Sequence, residues 1–193
     1  GYLVYDTLFS RDENGVAQPQ MVESWEASDD RKRYTFTLRD GLRFHDGSPV
    51  EPEDVIASIN RWAQRDSSGK TLLDFGMKLS KLDEKTVELT LDVPTLIVVD
   101  AFAKPTAAPL FVMRQEEAAN APTEPVTEII GSGPFKFVRD EHVPGSKLVY
   151  ERNPDYVPRS EPANYLSGGK VPRVDRVEWV VLPDAGSAVN ALI

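Results

Sequence analysis

Large apolar residues alternate with polar ones over Tyr34-Thr35-Phe36-Thr37-Leu38-Arg39. That period of two predicts a strand with one buried and one wet face. Just upstream, Met21, Trp25 and Ala27 share one parity and Ser24, Glu26 and Ser28 the other. The polar run Asp29-Asp30-Arg31-Lys32 between the two segments supplies a turn, so 21–39 is expected to be a hairpin with Trp25, Tyr34 and Phe36 facing inward. A second hairpin is expected over 77–92, where Val87, Leu89 and Leu91 alternate with Glu88, Thr90 and Asp92 and Asp83-Glu84-Lys85 turns the chain. Between them the period changes. Val55, Ile56, Ile59, Trp62 and Ala63 form a helical stripe over 52–64. Pro52 suits its first turn, and Glu53 and Asp54 place negative charge at the positive end of the helix dipole.

Ser67-Ser68-Gly69 is expected to end that helix, leaving Leu72-Leu73-Asp74-Phe75-Gly76 as a loop. Shorter helices are expected over 95–103 and 112–120. The Pro-rich segment Ala121-Pro122-Thr123-Glu124-Pro125 is taken as a boundary. Beyond it, Phe135-Lys136-Phe137 and Leu148-Val149-Tyr150 predict a hairpin across the polar stretch 139–146, in a different sheet from 34–39. Asn153-Pro154-Asp155 is a turn and 158–172 a long loop. Val177-Glu178-Trp179-Val180-Val181-Leu182 is apolar on both faces, as a central strand would be, and Asp184 is placed to cap a following helix. The chain starts at Gly1 and stops in the apolar run Ala188–Ile193 without a helix stop signal, so it is expected to be a piece of a longer protein. The pattern as a whole is a mixed α+β fold.

Composition narrows the chemistry. Hydrophobic residues make up 40% of the 193 positions, enough for a packed core. The net charge of −9 argues against binding nucleic acid or anionic membrane surfaces. With no cysteine, disulfides, thiolate catalysis and iron–sulfur clusters are excluded. No run approaches the roughly 20 apolar residues of a membrane helix.

The two histidines, His45 and His142, stand far apart in polar contexts, and no carboxylate spacing joins them into a metal site. No cofactor is expected. Gly131-Ser132-Gly133-Pro134 is neither a nucleophile elbow nor a dinucleotide fingerprint and is most simply a tight turn entering a strand. Acidic pairs such as Asp29-Asp30 and Glu116-Glu117 are solvated surface. No acid, base and nucleophile assemble. Phe75 is either a plug over the core or a contact for a ligand.

Several segments then carry a resemblance. Tyr5-Asp6-Thr7-Leu8-Phe9, Pro19-Gln20-Met21-Val22-Glu23-Ser24-Trp25-Glu26, the run from Tyr34 to Gly47, and Glu53-Asp54-Val55 are similar to the large solute-binding proteins of peptide/nickel-type ABC importers. Gly131-Ser132-Gly133-Pro134-Phe135-Lys136-Phe137 and Glu151-Arg152-Asn153-Pro154-Asp155-Tyr156 resemble a second signature of the same family, in the same order. The chain departs from that pattern at Glu51, where a Ser or Thr cap is usual, and at Val157, where an aromatic is usual.

The resemblance implies a non-enzymatic bacterial protein outside the cytoplasmic membrane, periplasmic or lipid-anchored, that captures a solute between two lobes and delivers it to an ABC permease. It implies that residues 1–125 form an accessory domain of antiparallel sheet and helix. Residues 126–193 would then be part of the first, type II ligand-binding lobe. By resemblance the residues near the solute are Tyr5, Asp74, Phe75, Gly76, Ser132 and Gly133, with Asp74 receiving a cationic group and Phe75 packing on an apolar one. Peptide or another small polar organic solute is preferred. Nickel is disfavoured by the few histidines, and oligosaccharide or opine remains an alternative within the family. A secreted hydrolase using carboxylates and a module docking on a membrane partner are the rival classes. Without a second lobe the chain is expected to hold its solute only weakly, and strand 177–182 is expected to be exposed or to pair with a second copy.

Overall fold

A computed structural model describes residues 1–105 and 108–190 of the chain. Its centre is a four-stranded antiparallel sheet of order β3-β4-β6-β5, built from β3 (Val22–Ala27), β4 (Arg33–Leu38), β5 (Lys78–Lys81) and β6 (Thr86–Thr90). Both expected hairpins are present, and β4 and β6 pair to join them. Tyr34 stands opposite Leu89 and Phe36 opposite Val87, all four buried, while Thr35 and Thr37 face Glu88 and Thr86 on the wet side. Alternation therefore reports one face of a sheet packed on a core.

The expected parity of β3 needs one correction. The register shifts between Val22 and Ser24, so Met21 and Val22 are both buried. Such a bulge puts two residues opposite one and breaks strict alternation. Beyond it, Trp25 pairs with Phe36 on the core side and meets the Phe9 ring edge-on at 6.2 Å. It remains 39% exposed because β3 is the sheet's edge.

Helix α1 (Pro52–Ala63) covers the core with Val55, Ile59 and Trp62, as its stripe requires. The Trp62 ring meets Phe102 of α3 (Ile97–Phe102) edge-on at 5.7 Å, and Phe102 lies 5.7 Å from Phe36. The indole N–H donates to the carbonyl of Ala108 at 2.9 Å. Asp54 strengthens the start of the helix, accepting from the N–H of Glu51 at 2.8 Å and from that of Gln115, the first residue of α4 (Gln115–Ala118), at 2.7 Å.

Ser67-Ser68-Gly69 does not introduce a loop. It opens a second helix, α2 (Ser67–Asp74), capped by Asp66, whose carboxylate accepts from Ser68 N–H at 2.8 Å. Gly69 is there for proximity: a Cβ would lie 2.4 Å from the Cα of Ala63, so its absence lets α2 turn tightly off the end of α1.

The remaining strands form two smaller sheets. β1 (Phe9–Arg11) and β2 (Ala17–Pro19) make an antiparallel ribbon. β7 (Phe135–Phe137), β8 (Lys147–Arg152) and β9 (Arg176–Val180) form a three-stranded antiparallel sheet of order β7-β8-β9, separate from the one containing β4. The 134–152 hairpin and its separation from β4 are as expected. Strand 177–182 is not central in this chain but is exposed, as expected where its sheet neighbours are lacking. Among the described residues β9 pairs only with β8, leaving Trp179 59% exposed and Val180, Val181 and Leu182 also open. Asp184 caps α5 (Ala185–Asn190) as expected, accepting from Ser187 N–H at 2.9 Å. The end of the apolar run, 191–193, lies outside the described residues.

Candidate functional site

The first eight residues thread between two walls. On one side, Val4 and Leu3 carbonyls accept from the N–H groups of Gly133 at 2.8 Å and Phe135 at 2.9 Å. On the other, Thr7 bridges Phe111, and the Asp6 carbonyl accepts from Val112 N–H at 3.0 Å. The glycines of the turn permit this approach. A Cβ on Gly131 would sit 2.0 Å from the Val4 carbonyl oxygen, and one on Gly133 2.7 Å from the Val4 carbonyl carbon. Tyr5 therefore lies beside the 131–133 turn, its ring 5.6 Å from that of Phe111. Burial, and then the Glu117 carboxylate, push its hydroxyl up to about 12, so it acts as a neutral hydrogen-bonding group at ordinary pH.

His45 holds the other side of the turn. Its backbone N–H donates to the Gly131 carbonyl at 2.8 Å, and its ring Nδ1 lies 3.3 Å from Gly131 N–H. Ring Nε2 lies 3.0 Å from the Gly133 carbonyl. A donor at Nδ1 and an acceptor at Nε2 select the neutral tautomer protonated at Nε2. Burial lowers the imidazole's pKa, the bond to Gly133 opposes that, and nearby Lys136 adds to the lowering. The Gly133 carbonyl also accepts from Asn153 Nδ2 at 3.2 Å. His45, passed over by sequence reasoning, thus fixes the turn that two predicted residues occupy.

Beneath the threaded segment sits a buried ionic group. Asp6 is fully buried, and its carboxylate accepts from Thr7 N–H at 3.0 Å, Lys170 Nζ at 2.7 Å and the Tyr156 hydroxyl at 2.9 Å. Burial and then the charge of Asp6 raise the Tyr156 pKa far above its usual value, so its hydroxyl keeps the proton it donates. Lys170 from the long loop and Tyr156 from the Asn-Pro turn thereby hold the segment carrying Tyr5. The Tyr-Asp and Asn-Pro-Asp-Tyr motifs contain two of these residues, but nothing local in the sequence pairs them.

The structure brings Tyr5, Ser132 and Gly133 together and places Asp74, Phe75 and Gly76 elsewhere. Asp74 ends α2 and Phe75 follows it; the expected loop is a helix end. The half-buried Phe75 packs on the main core, and its carbonyl accepts from Asp92 N–H at 2.8 Å. Gly76 has φ +76°, and a Cβ there would lie 2.2 Å from the Asp92 carboxylate. No hydrogen bond or ring contact joins this corner to Tyr5 or the 131–133 turn among the described residues.

Ser132 is 3% exposed and lines a cavity of about 10 Å³. An open groove of about 480 Å³, sharing Arg39 with this cavity, is lined also by Lys85, Arg159 and Glu161 and by none of the predicted residues. A solute-sized pocket measures about 300–1,000 Å³ and buries most of its ligand. Among the described residues no three His, Asp or Glu side chains converge as metal ligands, and no helix is long and apolar enough to cross a membrane.

Residues 16–193 match the family described as bacterial extracellular solute-binding proteins, family 5 Middle. The probable peptide ABC transporter periplasmic-binding protein y4tO of Sinorhizobium fredii is 48% identical over 193 residues, covering 98% of this chain and 35% of that protein. Among solved structures, AgaA of A. tumefaciens in complex with agropinic acid is 30% identical with a TM-score of 0.73, covering 99% of this chain and 36% of that one. NikA from Brucella suis in complex with Fe(III)-EDTA is 25% identical with a TM-score of 0.79, covering 98% and 36% respectively. The chain spans about a third of the length of these relatives.

Proposed function

Because this chain belongs to the bacterial extracellular solute-binding proteins of family 5, we propose that the protein carrying it is the solute-binding component of an ABC importer. It captures a peptide or a similar small polar organic solute outside the cytoplasmic membrane and hands it to the permease. The observation that supports this reading is the alignment of 98% of this chain, at 48% identity, with 35% of y4tO, a probable peptide ABC transporter periplasmic-binding protein. The site of action is the periplasm, or the outer face of the cytoplasmic membrane where a lipid anchor would hold the protein.

Residues 1–125 serve as the accessory domain and 126–193 as part of the first ligand-binding lobe. Tyr5 contributes to the solute wall. Ser132 and Gly133 support it by fixing the segment that carries Tyr5. Phe75 acts as a plug of the core, with Asp74 and Gly76 shaping the end of α2. The reading assigns binding and release, with no chemical step. A second reading, an opine-type solute, is favoured by the identity with AgaA, which holds agropinic acid.

Mass spectrometry of whatever is released on denaturing the purified full-length protein tests both. A peptide population supports the first reading and an opine the second. Turnover of a peptide, ester or glycoside by the protein would overturn both in favour of a hydrolase.

A further inference from the structure

Three segments meet at the 131–133 turn: the stretch leaving β4 at Arg39, the turn itself, and the Asp155–Val157 stretch after the Asn-Pro turn. Arg39 is 8% exposed and forms no ion pair among the described residues. Its Nε donates to the Gln20 carbonyl at 3.1 Å, while Nη2 is buried with no protein partner. The Ser132 hydroxyl is likewise buried and unpartnered. Both residues line the same cavity of about 10 Å³, together with Gly41, Leu42, Tyr156 and Val157.

Two unsatisfied polar atoms on one cavity are a costly arrangement. A buried donor left unmade loses about 1–3 kcal/mol, and more when it is charged. A cavity of about 10–15 Å³ on this measure admits one water molecule, and water remains in such a place when polar groups can hold it. Charge and size select among guests. Arg39 and Arg43 disfavour a cation, and about 10 Å³, no more than the space of one water, is too small for a larger anion. A neutral guest that accepts from a guanidinium and exchanges a hydrogen bond with a hydroxyl remains.

We propose that this cavity is a binding site for a single internal water molecule, held between Arg39 Nη2 and Ser132 Oγ, that joins the three segments behind the Tyr5 wall. The water accepts a hydrogen bond from the guanidinium and pairs with the Ser132 hydroxyl, so Ser132 acts inward on the joint.

A high-resolution crystal structure of the protein grown in bromide tests this. The expected result is one solvent peak, without bromide's anomalous signal, within about 2.7–3.2 Å of both atoms. An anomalous peak would make the site an anion site, and absent density, or a Ser132 hydroxyl turned onto a protein acceptor, would leave no site; each overturns the proposal. In solution, a water–amide Overhauser signal near Gly133 is expected in the unmodified protein and lost in Ser132→Ala. A signal unchanged in that variant would remove Ser132 as an anchor and overturn the proposal.

Discussion

Replacing Gly133 by alanine tests whether the threaded N-terminal segment is held as described. The added Cβ would stand 2.7 Å from the Val4 carbonyl carbon and 2.8 Å from the carbonyl oxygens of Leu3 and Val4. All three are backbone atoms, so no side chain can swing aside. Overpacking of this kind costs about 1–3 kcal/mol. The shift also stretches the Gly133 N–H bond to Val4, and the loss of one such bond adds about 0.5–1.5 kcal/mol. The expected cost is therefore about 3 kcal/mol. For a chain of this size that lowers Tm by about 6–12 °C.

Thermal unfolding followed by circular dichroism measures the loss, with Gly15→Ala as the control. Gly15 has φ +75° but nothing within 4 Å of a Cβ, so its replacement carries backbone strain alone, about 1–2 kcal/mol. If Gly133→Ala proves no more damaging than Gly15→Ala, the close approach of the segment to the turn is wrong.

Trp62→Ala should destabilise the fold by about 3–5 kcal/mol, read as a fall in the urea midpoint, since the ring is buried and its N–H is bonded; a loss under about 1 kcal/mol would contradict its place in the core. Because burial lowers the His45 pKa, the native state refuses a proton that the unfolded chain accepts near its usual value of about 6.5. Stability from this residue is present above that pH and falls away as pH drops through the folded value, so urea midpoints should decline on acidification and decline less in His45→Gln; parallel curves would exclude His45 as the cause. Phe75→Ala should lower Tm while leaving solute affinity in the full-length protein unchanged, and the reverse result would restore Phe75 as a ligand contact.

The elements legible in the sequence are those whose pattern records a single buried face. β4, β6 and α1 each present one apolar side to one core, so period alone located them. α2 was hidden because Gly69 was weighed as a stop signal, whereas its role is the close approach to Ala63, which only the third dimension shows. Trp25 has core parity but lies on an edge strand, and parity does not tell edge from centre. β9 shows the same limit in another form: two apolar faces promised neighbours that the described residues do not supply. The site was legible only in part. Tyr5 and Ser132-Gly133 sat in recognisable motifs, but Asp6 meets Tyr156 and Lys170 across separations of 150 and 164 residues. Ionic partners that far apart leave no local trace.

On the proposed function, this chain supplies one wall of a solute cleft completed by the rest of the protein. Titration calorimetry with di- and oligopeptides and an opine, run on the full-length protein and on residues 1–193 alone, decides the matter. The full-length protein should bind one solute per molecule at about micromolar Kd. The isolated chain, with about half of the roughly 8 kcal/mol lost, should bind no better than about millimolar. Tight one-to-one binding by residues 1–193 alone would place the whole pocket within this chain and contradict the claim.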